Sequence, residues 1–241
     1  MNWKIISPQE LEGAIFKLKY DLSRQIGVRS GMRIVDVGCG QGGFTAALSK
    51  VVGECGNVIG VDVSAEYVSE FWRNVEKWGV KSVVTWVQGD AVALRSVLPD
   101  CDPDVVASYR LLEELKNCTD MPKVIGEMAK VAKRKGAIRL MEMSTQVRNR
   151  AESNYVRLHI ESGDCFFERE LILEVMKDAG LSDVRVETVD TDVWFSPRVA
   201  KQDLEFAQLW YDKEVEKRLG PLIDKFGMKY PVFLLYSGVK K

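Results

Sequence analysis

Val35-Asp36-Val37-Gly38-Cys39-Gly40-Gln41-Gly42-Gly43 joins a short apolar run, Arg33 to Val37, to a helical spacing that opens at Gly43. A buried strand that turns this sharply into a helix needs residues that accept positive φ. Glycines supply that, and they let a ligand approach the backbone where a Cβ would stand. Gly38, Gly40 and Gly43 also satisfy G-x-G-x-x-G, so a dinucleotide remains a rival occupant on the glycines alone.

Outward from this turn, strand and helix patterns alternate. Leu11, Ile15, Leu18, Leu22 and Ile26 give an opening amphipathic helix after Ser7-Pro8, ending near Gly27. Beyond the turn, Gly43 to Val52 reads as a helix, Val58 to Val63 as a strand, and Ala65 to Trp78 as a helix closed by Gly79. Ser82 to Val87, Asp104 to Ser108, Ala137 to Met143, Val184 to Val189 and Val232 to Tyr236 complete seven expected strands. Helices at Ala91 to Leu98, Met121 to Lys133 and Glu170 to Ala179 lie between them. Such alternation implies an α/β fold, a Rossmann-like doubly wound sheet of parallel strands covered by helices on both faces.

The 241 residues carry 34 Lys+Arg against 35 Asp+Glu. A net charge of −1 supplies no basic field for a polyphosphate, which argues against nucleic acid and for a small-molecule partner. The five cysteines are scattered without a C-x-x-C pair, so neither a disulfide framework nor a metal site is expected, and a reducing cytoplasm fits. No apolar run reaches the roughly 18 residues of a membrane span, so no membrane association is expected. The sequence leaves oligomerisation open.

Three carboxylates sharpen the choice of ligand. Asp36 precedes the first glycine, Asp62 ends the second strand, and Asp90, in Gln88-Gly89-Asp90-Ala91, ends the third. Strand ends at the carboxyl edge of an open sheet line the ligand crevice. A carboxylate there can meet a cationic amino group, two ribose hydroxyls or an exocyclic amine. The set suits a nucleoside joined to an amino acid better than a pyrophosphate, although Asp36 and Asp90 could instead serve as turn and N-cap residues.

Val35 to Gly42, Val58-Ile59-Gly60-Val61-Asp62-Val63-Ser64 and Gln88-Gly89-Asp90-Ala91 resemble the first three motifs of the class I S-adenosylmethionine-dependent methyltransferases. Val232 to Tyr236 resembles that family's last, antiparallel strand. The spacing is most similar to small-molecule enzymes of the quinone-biosynthesis and arsenite-methylating type. The resemblance implies S-adenosyl-L-methionine as cofactor and methyl transfer to a small molecule by in-line displacement, yielding S-adenosylhomocysteine. It implies that Asp36 faces the methionyl amino group, that Gly38, Cys39 and Gly40 pass under the cofactor, and that Asp62 binds the ribose. Asp90 would take the adenine N6, Val63 and Ala91 would flank the ring, and Gly89 and Ser108 would complete the cofactor set. A protein or RNA methyltransferase, or a cofactor-binding protein without turnover, are the alternatives.

The fourth strand leads into Ala107-Ser108-Tyr109-Arg110, with no Asn-Pro-Pro-Tyr-like motif of amino-directed enzymes. Tyr109, Glu142 near the end of the fifth strand, and His159, the only imidazole, are the candidate catalytic groups. The whole chain, 1–241, reads as a single methyltransferase domain. Residues 1–30 form an N-terminal helical cap element, and the excursions 144–168 and 191–229 leave the carboxyl edge as lid insertions. The first shows weak periodicity; Leu204, Leu209, Val215, Leu219 and Leu222 give the second a helical pattern. Tyr155, Trp194 and Arg198 are the candidate substrate residues, with Phe195, Trp210, Tyr211, Arg148 and Arg157 nearby in sequence. The basic run Lys130, Lys133, Arg134 and Lys135 reads as a solvated helix end on the opposite edge.

Overall fold

The computed structural model describes residues 5–206 and 213–241, and of residues 203–206 only the backbone. Leu209, Trp210 and Tyr211 therefore lie outside the described residues, as does the side chain of Leu204. In chain order the elements are α1 (Pro8–Gln25), β1 (Arg33–Val37), α2 (Gly43–Val52), β2 (Asn57–Asp62), α3 (Val68–Lys77), β3 (Val84–Gln88), α4 (Leu94–Val97), β4 (Val105–Tyr109) and α5 (Met121–Val131). They continue with β5 (Ala137–Met143), α6 (Arg150–Glu161), α7 (Arg169–Asp178), β6 (Leu181–Val189), β7 (Trp194–Phe195), α8 (Pro197–Phe206), α9 (Lys213–Phe226), β8 (Met228–Lys229) and β9 (Phe233–Lys240).

The chain divides into two compact units. The larger comprises Phe16–Glu142, Phe167–Glu187 and Leu234–Lys241; the smaller comprises Met1–Ile15, Met143–Phe166 and Thr188–Phe233. Segments 144–168 and 191–229 thus fall almost wholly in the smaller unit, and α1 is shared between the two.

The sheet runs β3-β2-β1-β4-β5-β9-β6, with β9 antiparallel. Pairings of β1 with β2 and β4, of β2 with β3 and of β4 with β5 are parallel, so their carboxyl ends share one edge. Strands buried on both faces are mostly apolar, and Ile34 to Val37 and Val105 to Ser108 are all buried, with Asp36 and Ser108 their polar members. Helix α5, with Pro122 in its first turn, packs Met121, Val124, Ile125 and Met128 into the core with Ile172, Met176 and Tyr236. On the other side Phe71 and Val75 of α3 form a second cluster with Ala46 and Val80. Complete burial of a side chain such as Phe71 contributes about 1.5–3 kcal/mol.

Most boundaries shift by one to three residues from the sequence reading, and three differences bear on the packing. Strand β6 begins at Leu181, not Val184, because Ser182-Asp183 has the composition of a turn yet pairs beside β9, with Ser182 Oγ donating to the Val239 carbonyl at 3.2 Å. Strand β9 continues through Ser237-Gly238 to Lys240; a Cβ at Gly238 would stand 3.0 Å from Leu181 Cδ1, so the glycine serves close packing and not a turn. Segment 150–161, expected without regular structure, is the helix α6.

Within the smaller unit β7 and β8 form an antiparallel pair, Phe195 opposite Met228. Tyr155, Phe195, Tyr230 and Phe233 pack edge to face or tilted around them. A buried Lys229 donates to Glu152 at 2.6 Å, and Arg148 bridges Glu152 and Asp190 at 2.8 and 2.7 Å.

Candidate active site

The turn after β1 is held from the next strand. Gly38 and Cys39 donate their N–H groups to the Val61 carbonyl at 2.8 and 3.0 Å. Asp62 receives Gly40 N–H on Oδ2 at 2.7 Å and Ser64 N–H on Oδ1 at 2.9 Å, so this one carboxylate sets both the turn and the exit from β2. Gly38 has φ +72°, and a Cβ there would lie 2.6 Å from Leu111 Cδ1. Gly40, at φ +46°, is the contrast: a Cβ on it would meet nothing within 4 Å, which leaves that face of the turn open. The Cys39 side chain points into the cluster with Phe71 and Val75, and burial pushes its thiol far up; the residue offers the turn its backbone.

Asp36 is 1% exposed. Its Oδ2 accepts the Thr45 hydroxyl at 2.6 Å from the first turn of α2, while Oδ1 is buried with no hydrogen-bond partner among the described residues. Burial pushes the carboxyl up to about 7, against the pull of the Thr45 hydroxyl and of Lys19. Lys19, from α1, places Nζ 4.8 Å above the centre of the Tyr109 ring, which itself tilts against Phe44 at 5.4 Å. Burial, with Arg110 adding, pushes Lys19 down to about 8.

Asp90 is exposed and caps the short turn after β3, its Oδ1 accepting Val92 N–H at 3.0 Å. Gly89 donates to the Asp62 carbonyl at 2.9 Å, tying this corner to β2. Val63 is 51% exposed at the same edge and Ala91 is half-buried. Ser108, at the end of β4, is buried with no partner for Oγ among the described residues.

The ends of β4 and β5 assemble a second polar group. Arg110 takes a left-handed φ of 61°, donates its N–H to the Met141 carbonyl at 2.7 Å, and pairs through Nε with the buried Glu113. Glu142 accepts Leu112 N–H on Oε2 at 3.2 Å; its Oε1 is buried without a partner among the described residues. Burial first, and Glu113 beside it, raise the Glu142 carboxyl well above the usual range. Of these residues Tyr109 and Glu142 are expected from the sequence; Lys19, Thr45 and Glu113 are not. The pair Glu113-Glu114 immediately past a strand end is a signal that could have marked Glu113, whereas Lys19 has none beyond its place on an amphipathic helix.

The remaining candidates lie in the smaller unit. His159 is buried, and its Nδ1 lies 2.7 Å from Asp164 Oδ2. Tyr155 is 4% exposed inside the aromatic cluster, Trp194 is half-buried with Lys229 Nζ 5.4 Å above its ring, and Arg198 is exposed on α8. The basic run pairs in part, Lys130 with Glu127 at 2.7 Å and Lys133 with Asp104.

The ubiE/COQ5 methyltransferase family model matches residues 14–159, more than half of the chain. The chain belongs to that family. A sterol 24-C-methyltransferase of Gibberella zeae is 27% identical to it over 211 residues, 83% of this chain and 53% of that protein. A demethylmenaquinone methyltransferase of Shouchella clausii is 35% identical over 124 residues, 52% of this chain and 50% of that protein. This family member therefore spans about half the length of these curated relatives. Its fold is that of a cyclopropane-fatty-acyl-phospholipid synthase-like protein of Lactobacillus casei, with TM-score 0.71 at 15% identity, covering 96% of this chain and 92% of that one. No helix among the described residues is long and apolar enough to cross a membrane.

S-adenosylmethionine, the methyl donor of this family, joins a zwitterionic amino acid, a sulfonium and a nucleoside. The residues fit such a molecule: the buried, unpartnered Asp36 Oδ1 is an acceptor for an ammonium, and the open face of Gly40 admits a chain against the backbone.

Proposed function

We propose that this chain transfers a methyl group from S-adenosylmethionine to a small-molecule acceptor, and the observation that carries this reading is Asp36. A carboxylate oxygen buried with no partner costs about 1–3 kcal/mol in a folded protein, and such a cost persists where a ligand supplies the missing donor. A pyrophosphate supplies no donor; the amino group of a methionyl tail does. In this reading Asp62 adds the ribose hydroxyls to its two backbone donors. Asp90 meets the adenine amine through the oxygen not used in capping, Val63 and Ala91 wall the ring, and Gly38, Cys39, Gly40, Gly89 and Ser108 line the path.

When bound, the cofactor supplies a methyl carbon already activated by sulfonium, open to in-line displacement with S-adenosylhomocysteine as product. The protein's part is to align the acceptor and exclude water. Glu142, a carboxyl whose proton burial and the neighbouring Glu113 favour, can donate a hydrogen bond to an acceptor oxygen when protonated and, once ionised, take its proton. Tyr109, at the end of β4, presents its ring to Phe44 and Lys19.

Calorimetric titration with S-adenosylhomocysteine and with NAD tests the cofactor reading. Micromolar binding of the first with no response to the second is expected; tighter binding of NAD would sink it. Incubation with labelled S-adenosylmethionine and a pool of quinols, sterols and phenols tests the acceptor class, the expected result being label in a small organic product and none in protein or RNA.

A further inference from the structure

A groove on the far edge of the larger unit's sheet has no part in the reading above. Strand β9 runs antiparallel, so its last residues lie beside the start of β5, where Lys240 N–H donates to the Gly136 carbonyl at 2.9 Å. There, between α5 and the turn from α7 into β6, lies a groove of about 600 Å³. Its floor includes Gly126, inside α5, where a Cβ would meet nothing within 4 Å. Glycine is the least favourable helix residue after proline, and no packed neighbour requires it at this position; what it supplies is open backbone.

Cations surround that floor. Arg95 of α4, Lys130, Lys240 and Lys241 line it, and Lys135, whose N–H donates to the Lys240 carbonyl at 2.9 Å, adjoins it with Arg134. A helix C-terminus attracts cations in its own right, but Lys240 meets that demand at α5, its Nζ donating to the Lys130 and Ala132 carbonyls at 2.9 and 2.6 Å. Lys130 is matched by Glu127 at 2.7 Å, whose other oxygen accepts Arg95 N–H at 2.9 Å. Arg95, Arg134, Lys135 and Lys241 remain; they are exposed, and among the described residues their side chains form no ion pair. Asp178 is the one acidic side chain in the lining. On a chain of net charge −1 this is a local positive field.

Shape selects among polyanions. No aromatic side chain lines the groove for a base to stack on, and no apolar side chain larger than alanine lines it to enter a lipid layer. A flat headgroup surface would touch the rim and leave the floor empty. An extended acidic chain fills both, its backbone against Gly126 and its carboxylates on the long cations, one of them held by the two-pronged Arg95 guanidinium. We propose that this groove docks an extended acidic segment of a partner protein. It lies on the edge of the sheet opposite Asp36, Asp62 and Glu142, so a docked partner leaves those strand ends uncovered. The proposal stands independently of the methyl-transfer reading.

Fluorescence anisotropy of a labelled decaglutamate peptide on the full chain tests it, beside a single-stranded oligouridylate and vesicles of phosphatidylserine in phosphatidylcholine. Decaglutamate should bind, and more weakly as salt rises from about 0.02 to about 0.3 M. Reversing three exposed cations together, Arg134→Glu, Lys135→Glu and Lys241→Glu, should weaken it about tenfold or more. Gly126→Gln keeps the net charge and suits a helix but fills the floor; it should weaken the peptide about fivefold with no fall in Tm. Absence of decaglutamate binding, or tighter binding of oligouridylate or vesicles through the same three cations, would overturn the proposal. So would a Gly126→Gln variant that binds the peptide as well as the unaltered chain does, because the attraction would then be diffuse charge and not a groove.

Discussion

The ends of β1 and β2 and the ends of β4 and β5 lie on the same edge of the sheet, but they handle buried acid in opposite ways. At β2, Asp62 is consumed by backbone donors at Gly40 and Ser64, and it shapes the turn as much as it offers charge. Beside it Asp36 keeps one oxygen unmatched and a hydroxyl on the other. Past β4 and β5, Glu113 is paired with Arg110, and Glu142 keeps Oε1 unmatched, with burial and Glu113 favouring its proton. In the proposed reading the first region meets a positive ligand and the second holds a proton. Both Asp36 and Glu142 are buried with one oxygen unmatched; what separates them is the neighbouring charge, Lys19 pulling the first down and Glu113 pushing the second up.

That contrast can be broken in order of expected effect. Asp36→Asn should stabilise the ligand-free protein: a carboxyl near 7 in the folded state and near 3.8 unfolded loses stability as pH rises between those values and recovers none above. The variant's advantage should open between about pH 4 and 7 and hold at roughly 2–4 kcal/mol above pH 7, while S-adenosylhomocysteine binding falls. Denaturant melts at pH 5 and 8 check it, and a less stable variant at pH 8 would refute it. Gly38→Ala places a methyl 2.6 Å from Leu111 Cδ1 at positive φ, with an expected loss of about 2–3 kcal/mol. Pairing it with Leu111→Ala should recover part of that loss in a double-mutant cycle.

Asp62→Ala should weaken S-adenosylhomocysteine by about 1–3 kcal/mol, through loss of both the turn and the ligand contact. Unchanged affinity in calorimetry would remove Asp62 from the site. Glu142→Gln should leave that affinity within about twofold yet remove the pH inflection from turnover. It should also raise Tm at pH 8, since a raised carboxyl pKa costs stability as pH climbs through it. Arg185→Ala, an exposed pair with Glu187 on β6, is the control and should change stability by less than about 0.5 kcal/mol.

The first region was legible in the sequence and the second much less so. Glycines, a terminal Asp on each strand and alternating apolar runs are local signals, and they located β1, α2 and β2 within a residue or two. The group around Glu142 depends on residues 30 apart in sequence meeting at neighbouring strand ends, which no local period encodes. Helix α6 was missed for a related reason. Glu152, Asn154 and His159 are buried on it, so its inward face is not apolar and the 3.6-residue pattern fades. One sign was available: Asn149, whose side chain accepts Glu152 N–H at 2.9 Å, stands three residues before that Glu as a helix start requires. Lys19 shows the remaining limit, because a lysine on a helix looks the same in sequence whether it faces solvent or lies over an aromatic ring, as it does on Tyr109.

The position of β9 has a consequence for synthesis. It follows β6 in the chain but sits between β5 and β6 in the sheet. While residues 233–240 are still within the ribosome, β5 ends as an open edge and β6 has no strand to join. The last two places in the sheet must therefore fill together, late and in one step, and until then the nascent chain displays two bare strand edges to any passing chaperone or neighbouring chain.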